Sequence, residues 1–284
     1  MTFARDLWVR VETIHAVTYF AEESATAAID LGLSGFWMGY FGFRAAPLGC
    51  VGAGVVEATF CNFAPTFVQR WVPEVWALAT PQALLDARVG AAAATLRRIV
   101  PGVDDLAADP AVRTALFDAV RRGSSAGRPL FAANRLLPVS TDDVEMLWQF
   151  CTSLREHRGD GHVAALTAAG IDGLEAHVLI AIEQANSPTD LQRTRGWTEH
   201  DWADAMARCE SRGLIDAEGG LTQSGIAARA DVESRTDALA SAPFDTLSVS
   251  ECDALINALD GAARAVSESG VVRYPNPMGL PALD

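Results

Sequence analysis

Lysine is missing from this sequence: all 22 basic residues among its 284 are arginine. Set against 36 acidic residues, they leave a formal charge of −14. That balance opposes non-specific attraction to nucleic acid or to an anionic membrane surface, so either function needs a local basic patch. Cysteine is sparse as well. Cys50, Cys61, Cys151, Cys209 and Cys252 are odd in number and far apart, and none sits in a CxxC or CxxH pair. This spacing excludes a zinc knuckle or a disulfide framework and points to buried free thiols. The 5 histidines show no H-E-x-x-H or H-x-H spacing, so no metal site is expected. No nucleotide-binding glycine motif occurs, and no cofactor is identified. Long apolar runs are also missing. None reaches the roughly 18–20 residues of a membrane span without a glycine or a charge intervening. The opening "MTFARDLWVRVETIHAV" lacks a secretory hydrophobic core and cleavage site, which leads to the expectation of a cytoplasmic protein.

What is present is alanine and helical periodicity. Half of the chain is apolar and 20% is charged, enough for a substantial core. Over 201–213, Trp202, Ala205, Met206 and Cys209 share a face while Asp204, Arg208 and Glu210 turn away, and Gly213 supplies the stop. Pro110 opens a second such helix, with Val112, Leu116, Ala119 and Val120 on one side and Gly123 at its end. Similar spacing predicts helix over roughly 5–30, 50–70, 81–99, 140–156, 172–185, 231–240 and 250–268. Strand signals are few, and "GLID" followed by "GGLT" is the best hairpin candidate.

Two segments look alike at an offset near ninety positions. "YFGFRAAPL" (Tyr40, Arg44, Pro47, Leu48) matches "FAANRLLPV" (Phe131, Arg135, Pro138, Val139) as aromatic-x3-Arg-x2-Pro-aliphatic. The helix "PAVRTALFDAVRRG" then parallels "HDWADAMARCESRG". Such a repeat implies a duplicated unit about a pseudo-two-fold axis, a dimer fused into one chain. The division expected is an N-terminal repeat over 1–128 and a C-terminal one over 129–284, the two intertwined.

The second block carries the clearest motif. A short helix from Ser187, a turn at Gly196–Trp197, a helix from Thr198 to Arg212, "RGLID", a wing at Glu218–Gly220 and "LTQSG" follow in order. This frame resembles a MarR-type winged helix-turn-helix over about 55 residues. The wider chain, with "FWMGYFGFRAAPLG" and "REHRGDGHVAALTAAG", resembles an actinobacterial family of helix-turn-helix proteins, which implies a fold more than an activity. The fold class expected is therefore mainly α with short β wing hairpins, as tandem MarR-like winged-helix repeats. The resemblance also implies DNA contact through Thr198, His200, Arg208 and Arg212. Charge argues against it, because Glu199 and Asp201 stand where base edges and phosphates would be met, and the wing "DAEGGLT" is acidic.

Two constellations are candidate sites. "REHRGDGH" gathers Arg155, Glu156, His157, Arg158, Asp160 and His162 around Gly159 and Gly161, which mark an expected helix break. One reading is a capped turn with solvated charges, Asp160 capping the helix that follows. The other is an acid–base cluster of His157, His162, Glu156 and Asp160, with Arg155 or Arg158 binding an anion. The second constellation is an aromatic wall. His15, Tyr19, Trp37, Tyr40, Arg44 and Asn62 would bring polar groups to a ring-lined pocket, although such stripes are also ordinary core. MarR proteins hold small aromatic or amphipathic ligands, and this chain is expected to bind one, as a pseudo-dimeric monomer or a homodimer. A catalytic role for the histidine cluster, a DNA-binding regulator and an acidic partner-binding module stand as alternatives.

Overall fold

The periodic segments form helices, and helix is almost the whole of the architecture in the computed structural model, which describes residues 2–184, 186–276 and 278–283. In chain order they are α1 (Phe3–His15), α2 (Val17–Phe20), α3 (Glu22–Asp30), α4 (Gly35–Ala45), α5 (Ala53–Phe60), α6 (Pro65–Leu78), α7 (Pro81–Ile99) and α8 (Val103–Ala108). Then come α9 (Pro110–Arg122), α10 (Pro129–Arg135), α11 (Asp143–Ala168), α12 (Gly173–Gln184), α13 (Pro188–Arg195), α14 (Glu199–Ser211), α15 (Gln223–Ser241) and α16 (Val249–Glu268). Two units result, each discontinuous in sequence. The first comprises Met1–Cys50, Glu74–Asp160 and Asp237–Asp284; the second comprises Val51–Pro73 and Gly161–Thr236.

In the first unit, α1 and α16 pack together along their length. Thr2 caps α1 by accepting the Arg5 N–H, and Ser248 and Glu251 form a capping box on α16. Between them, Leu7, Val11 and Ile14 meet a core that includes Leu255, Leu259 and Val266. The apolar face of α9 (Val112, Leu116, Ala119, Val120) is buried as its spacing predicts, and Asp109 accepts the Ala111 N–H at 2.7 Å to start the helix. Trp148 of α11 and Phe131 of α10 are fully buried at the centre.

The second unit wraps Leu174, Val178, Trp202, Ala205, Cys209, Ile215 and Val232 around a small core of its own. A left-handed Gly196 (φ 78°) ends α13, and a capping box between Thr198 and Asp201 starts α14. The expected wing is shorter than a hairpin. Among the described residues its only ladder is a single antiparallel bridge between Ile215 and Leu221. The Asp216 carboxylate takes up the N–H groups of Glu218 and Gly220, which closes the turn without further strand pairing.

Several boundaries differ from the sequence reading. The 5–30 segment is three helices, and 50–70 breaks between Phe60 and Pro65. The helix expected over 172–185 ends at Gln184, and position 185 lies outside the described residues. The largest correction is at "REHRGDGH". No break occurs there: α11 runs 26 residues through both Gly159 and Gly161. A mid-helix glycine costs only about 1 kcal/mol relative to alanine, and the side chains on either side are anchored in several directions.

Candidate functional site

Because α11 is continuous, successive residues of "REHRGDGH" point to different partners. Arg155 and Glu156 face α1 and α4, where they meet much of the aromatic wall. Arg44 grips Glu156 with two hydrogen bonds (Nε to Oε1 3.1 Å, Nη2 to Oε2 3.2 Å), and Arg155 donates to Glu156 at 2.9 Å and to Glu12 at 3.0 and 3.1 Å. Arg44 also donates to the Tyr40 hydroxyl at 3.0 Å. His15 is held between Thr152 and the Tyr19 hydroxyl, both at 2.9 Å, and stacks on Trp148. Trp37 lies edge-on to Tyr40 at the half-buried margin of this cluster.

Burial sets the protonation states. His15 is pushed well below the usual imidazole range by desolvation and then by Arg155, so it is neutral. The Tyr19 phenol is raised by burial. Burial works against the Glu156 charge, but Arg155 and Arg44 overcome it and hold the carboxyl at about 2. The result is a closed ion-pair network with its acceptors occupied by protein donors.

The other members lie elsewhere. His157 packs edge-on against Phe131 and is held at about 3 by burial and by Arg128. Arg158 pairs with Asp237 at 2.7 Å and covers Trp8. His162 belongs to the second unit, where it bonds Thr236 at 3.1 Å. Asn62 is in the second unit too, and its carbonyl accepts the Trp197 indole N–H.

Asp160 caps a helix, as the residue type suggests, but the helix is α10: its carboxylate accepts the Phe131 N–H at 2.9 Å. Burial raises its pKa to about 7. The folded state then keeps this proton over a range in which the unfolded chain has lost it, so stability falls as pH rises from about 4 to about 7. Asp160→Asn keeps the acceptor and removes the charge. The variant is expected to melt above the parent at pH 8 and close to it at pH 4.5, a difference that thermal melts at the two pH values would measure.

A groove of about 220 Å³ opens beside this region, and the sequence reading passed over it. Phe117 and Val120 of α9, Leu136 to Val139 after α10, and Met146 and Phe150 of α11 form its apolar wall. Asn134, Gln149 and Ser153 supply the polar end, with Arg121 and Arg135 beside it and no acidic residue in the lining. Leu136 is 81% exposed and Val139 54%, large values for aliphatic side chains on a charged protein. The apolar "LLPV" run between polar neighbours is the sequence signal that could have located it. Nearby, "GSSAG" (Gly123 to Gly127) has the G-x-S-x-G spacing of a nucleophile elbow. It follows a helix, not a strand, and its hydroxyls accept the Ala126 N–H and the Arg135 guanidinium, so the elbow geometry is not met.

The second unit presents the order helix, turn, helix, tight turn, helix from α13 to α15. A family model described as a helix-turn-helix family matches residues 4–273. The chain belongs to that helix-turn-helix family. No curated protein and no solved structure matches it.

Within this helix-turn-helix unit, the side chains expected to touch DNA are engaged internally. Arg208 bonds Asp172 at 2.8 Å and Glu175 at 3.2 Å, while Arg212 bonds Glu175 at 3.0 Å and the Gly170 carbonyl at 2.7 Å. Glu175 is buried, so both arginines are tied to an interior carboxylate. Thr198 is committed to the capping box with Asp201, and the exposed His200 stands 3.5 Å from Asp204. Residues 51–73 and 161–236 together hold 13 acidic and 7 basic residues, so the unit is acidic like the whole chain.

Proposed function

We propose that this helix-turn-helix protein binds a small apolar or amphipathic molecule in the groove between α9, α10 and α11, and that its reading surface is not used on DNA. The groove carries the reading: an apolar cavity with three convergent polar side chains at one end is the usual form of a small-ligand site. Its volume of about 220 Å³ exceeds the roughly 150 Å³ that accommodates benzene in an engineered core. A ligand of one ring with a short substituent fits that size.

A duplicated, MarR-like organisation is part of the same proposal. Residues 53–78, covering α5 and α6, and residues 143–168 of α11 each span 26 positions, ninety apart, and α9 and α14 are both 13-residue helices 89 positions apart. On this reading α9 is the counterpart of the recognition helix, and Phe117, Val120 and Arg121 now wall a groove. Catalysis by His157, His162, Glu156 and Asp160 is no part of the proposal, since the four side chains engage separate partners.

The test has two arms. A thermal-shift panel of neutral one-ring compounds such as 3-phenylpropanamide should raise the melting temperature, by an amount that grows with concentration. Labelled duplex DNA at low salt should show no salt-dependent shift, because the acidic α14 N-terminus and its paired arginines leave few counterions to release. A shift that weakens with salt and disappears in Arg208→Ala would favour a DNA-binding regulator instead.

A further inference from the structure

Arg88, buried behind the groove, makes no ion pair among the described residues. It lies in the first unit, near the half-buried Arg44 and Arg155 and the buried carboxylates of Glu12 and Glu156, while His15 and Tyr19 are neutral. Arg44 and Arg155 share Glu156 at 2.9–3.2 Å, and Arg155 also bonds Glu12 at 3.0 and 3.1 Å. Arg88 is 3% exposed and stacks on Trp148, and its guanidinium donates to the Phe43 carbonyl at 2.9 Å, Asn134 Oδ1 at 2.9 Å and Gln149 Oε1 at 3.2 Å. Its Nε has no partner. Burial accordingly lowers its pKa to about 10. A buried cation held by neutral acceptors alone is costly, and proteins ordinarily answer it with a counter-charge.

Two of those three acceptors, Asn134 and Gln149, belong to the polar end of the groove. Gln149 passes the field outward: its Oε1 faces Arg88, and its Nε2 makes only two long contacts, 3.3 Å to Asn134 Oδ1 and 3.3 Å to Ser153 Oγ. Arg121 and Arg135 stand alongside and no carboxylate is in the wall, although Asp118 pairs with Arg121 and Glu145 accepts from Ser140 just outside it.

We infer that the groove selects an anionic ligand, a small monocarboxylate with an apolar body, whose head group lies at the Gln149 side-chain amide and supplies the counter-charge that Arg88 lacks. This inference rests on the groove being a ligand site. The apolar body meets Phe117, Val120 and Phe150.

The experiment compares 3-phenylpropanoate with its neutral amide by calorimetric titration at pH 7, on the parent and on two variants. The parent should bind the carboxylate at least ten-fold more tightly than the amide. Gln149→Glu places a carboxylate against Arg88. It should raise the melting temperature of the ligand-free protein and abolish the preference for the carboxylate. Arg88→Met should also abolish the preference, and if that variant does not fold, Gln149→Glu decides alone. Equal binding of acid and amide by the parent would overturn the inference and leave the groove as a ligand site. A carboxylate preference that survives in Gln149→Glu would equally overturn it. Binding of neither compound would overturn both readings together.

Discussion

Replacing Glu156 with alanine is expected to destabilise the protein by about 3–5 kcal/mol, because it removes a buried carboxylate that Arg44 and Arg155 share. Glu156 is 1% exposed and accepts hydrogen bonds from both Arg44 and Arg155. Without it, Arg155 retains Glu12, and Arg44 retains the Tyr40 hydroxyl but loses the carboxylate it grips with two hydrogen bonds. The loss should therefore be smaller in the double variant Glu156→Met with Arg44→Met than the sum of the two single losses, the mark of a coupled pair. Denaturant midpoints of the four proteins give the coupling directly.

The same residue shapes the acid limb of stability. Its folded pKa of about 2 lies below its ordinary value of 4.5. The stabilisation is thus fully present above about pH 4.5 and is lost as pH falls through the folded value. Parent and Glu156→Ala should converge in acid and differ most near neutrality.

Gly225→Ala is expected to cost about 3 kcal/mol, at the upper end of overpacking effects, and to act on the second unit. Gly225 is the final residue of the "RGL…LTxxG" frame, and the structure explains why no side chain is allowed there. A Cβ on it would sit 2.0 Å from the Leu214 carbonyl oxygen and 3.3 Å from Leu221. Both belong to the tight turn that ties α14 to α15, where Thr222 also donates to Leu214. Since the obstacle is backbone, relief requires moving the helix or the turn. The environment of Trp202, buried in that unit's core, should report the change in fluorescence. Gly261→Ala is the matched control: it lies on the exposed side of α16 with nothing within 4 Å, and it should stabilise by roughly 0.5–1 kcal/mol through helix propensity alone.

What could be read from sequence was local. The three- and four-residue spacing located α7 over 81–99, α9 from Pro110 and most of α16, and the alternation of cap, charge and glycine located α13 and α14. The failures have a common cause. Two glycines and six polar residues at 155–162 look like a turn, but tertiary partners on several sides outweigh the propensity cost of Gly159 and Gly161. That Glu156 would meet Arg44, Arg155 would meet Glu12 and Thr152 would meet His15 was beyond local pattern, since the members of each pair are more than a hundred positions apart. The groove was missed for a subtler reason. Its walls are aliphatic and aromatic residues that any hydropathy reading assigns to the core, and only their exposure distinguishes them. Arg88, alone in the alanine-rich "DARVGAAAATL", likewise reads as a surface charge until its burial is seen.

The central claim is that the groove is a ligand site. It is tested most directly by titrating 3-phenylpropanoate into the parent and into Val139→Trp, a substitution at the exposed rim that fills the entrance and spares the core. Saturable binding of one equivalent by the parent, lost or weakened at least ten-fold in Val139→Trp, is the expected result. Equal affinity in the two proteins, or binding of neither this acid nor its amide by the parent, would contradict the account.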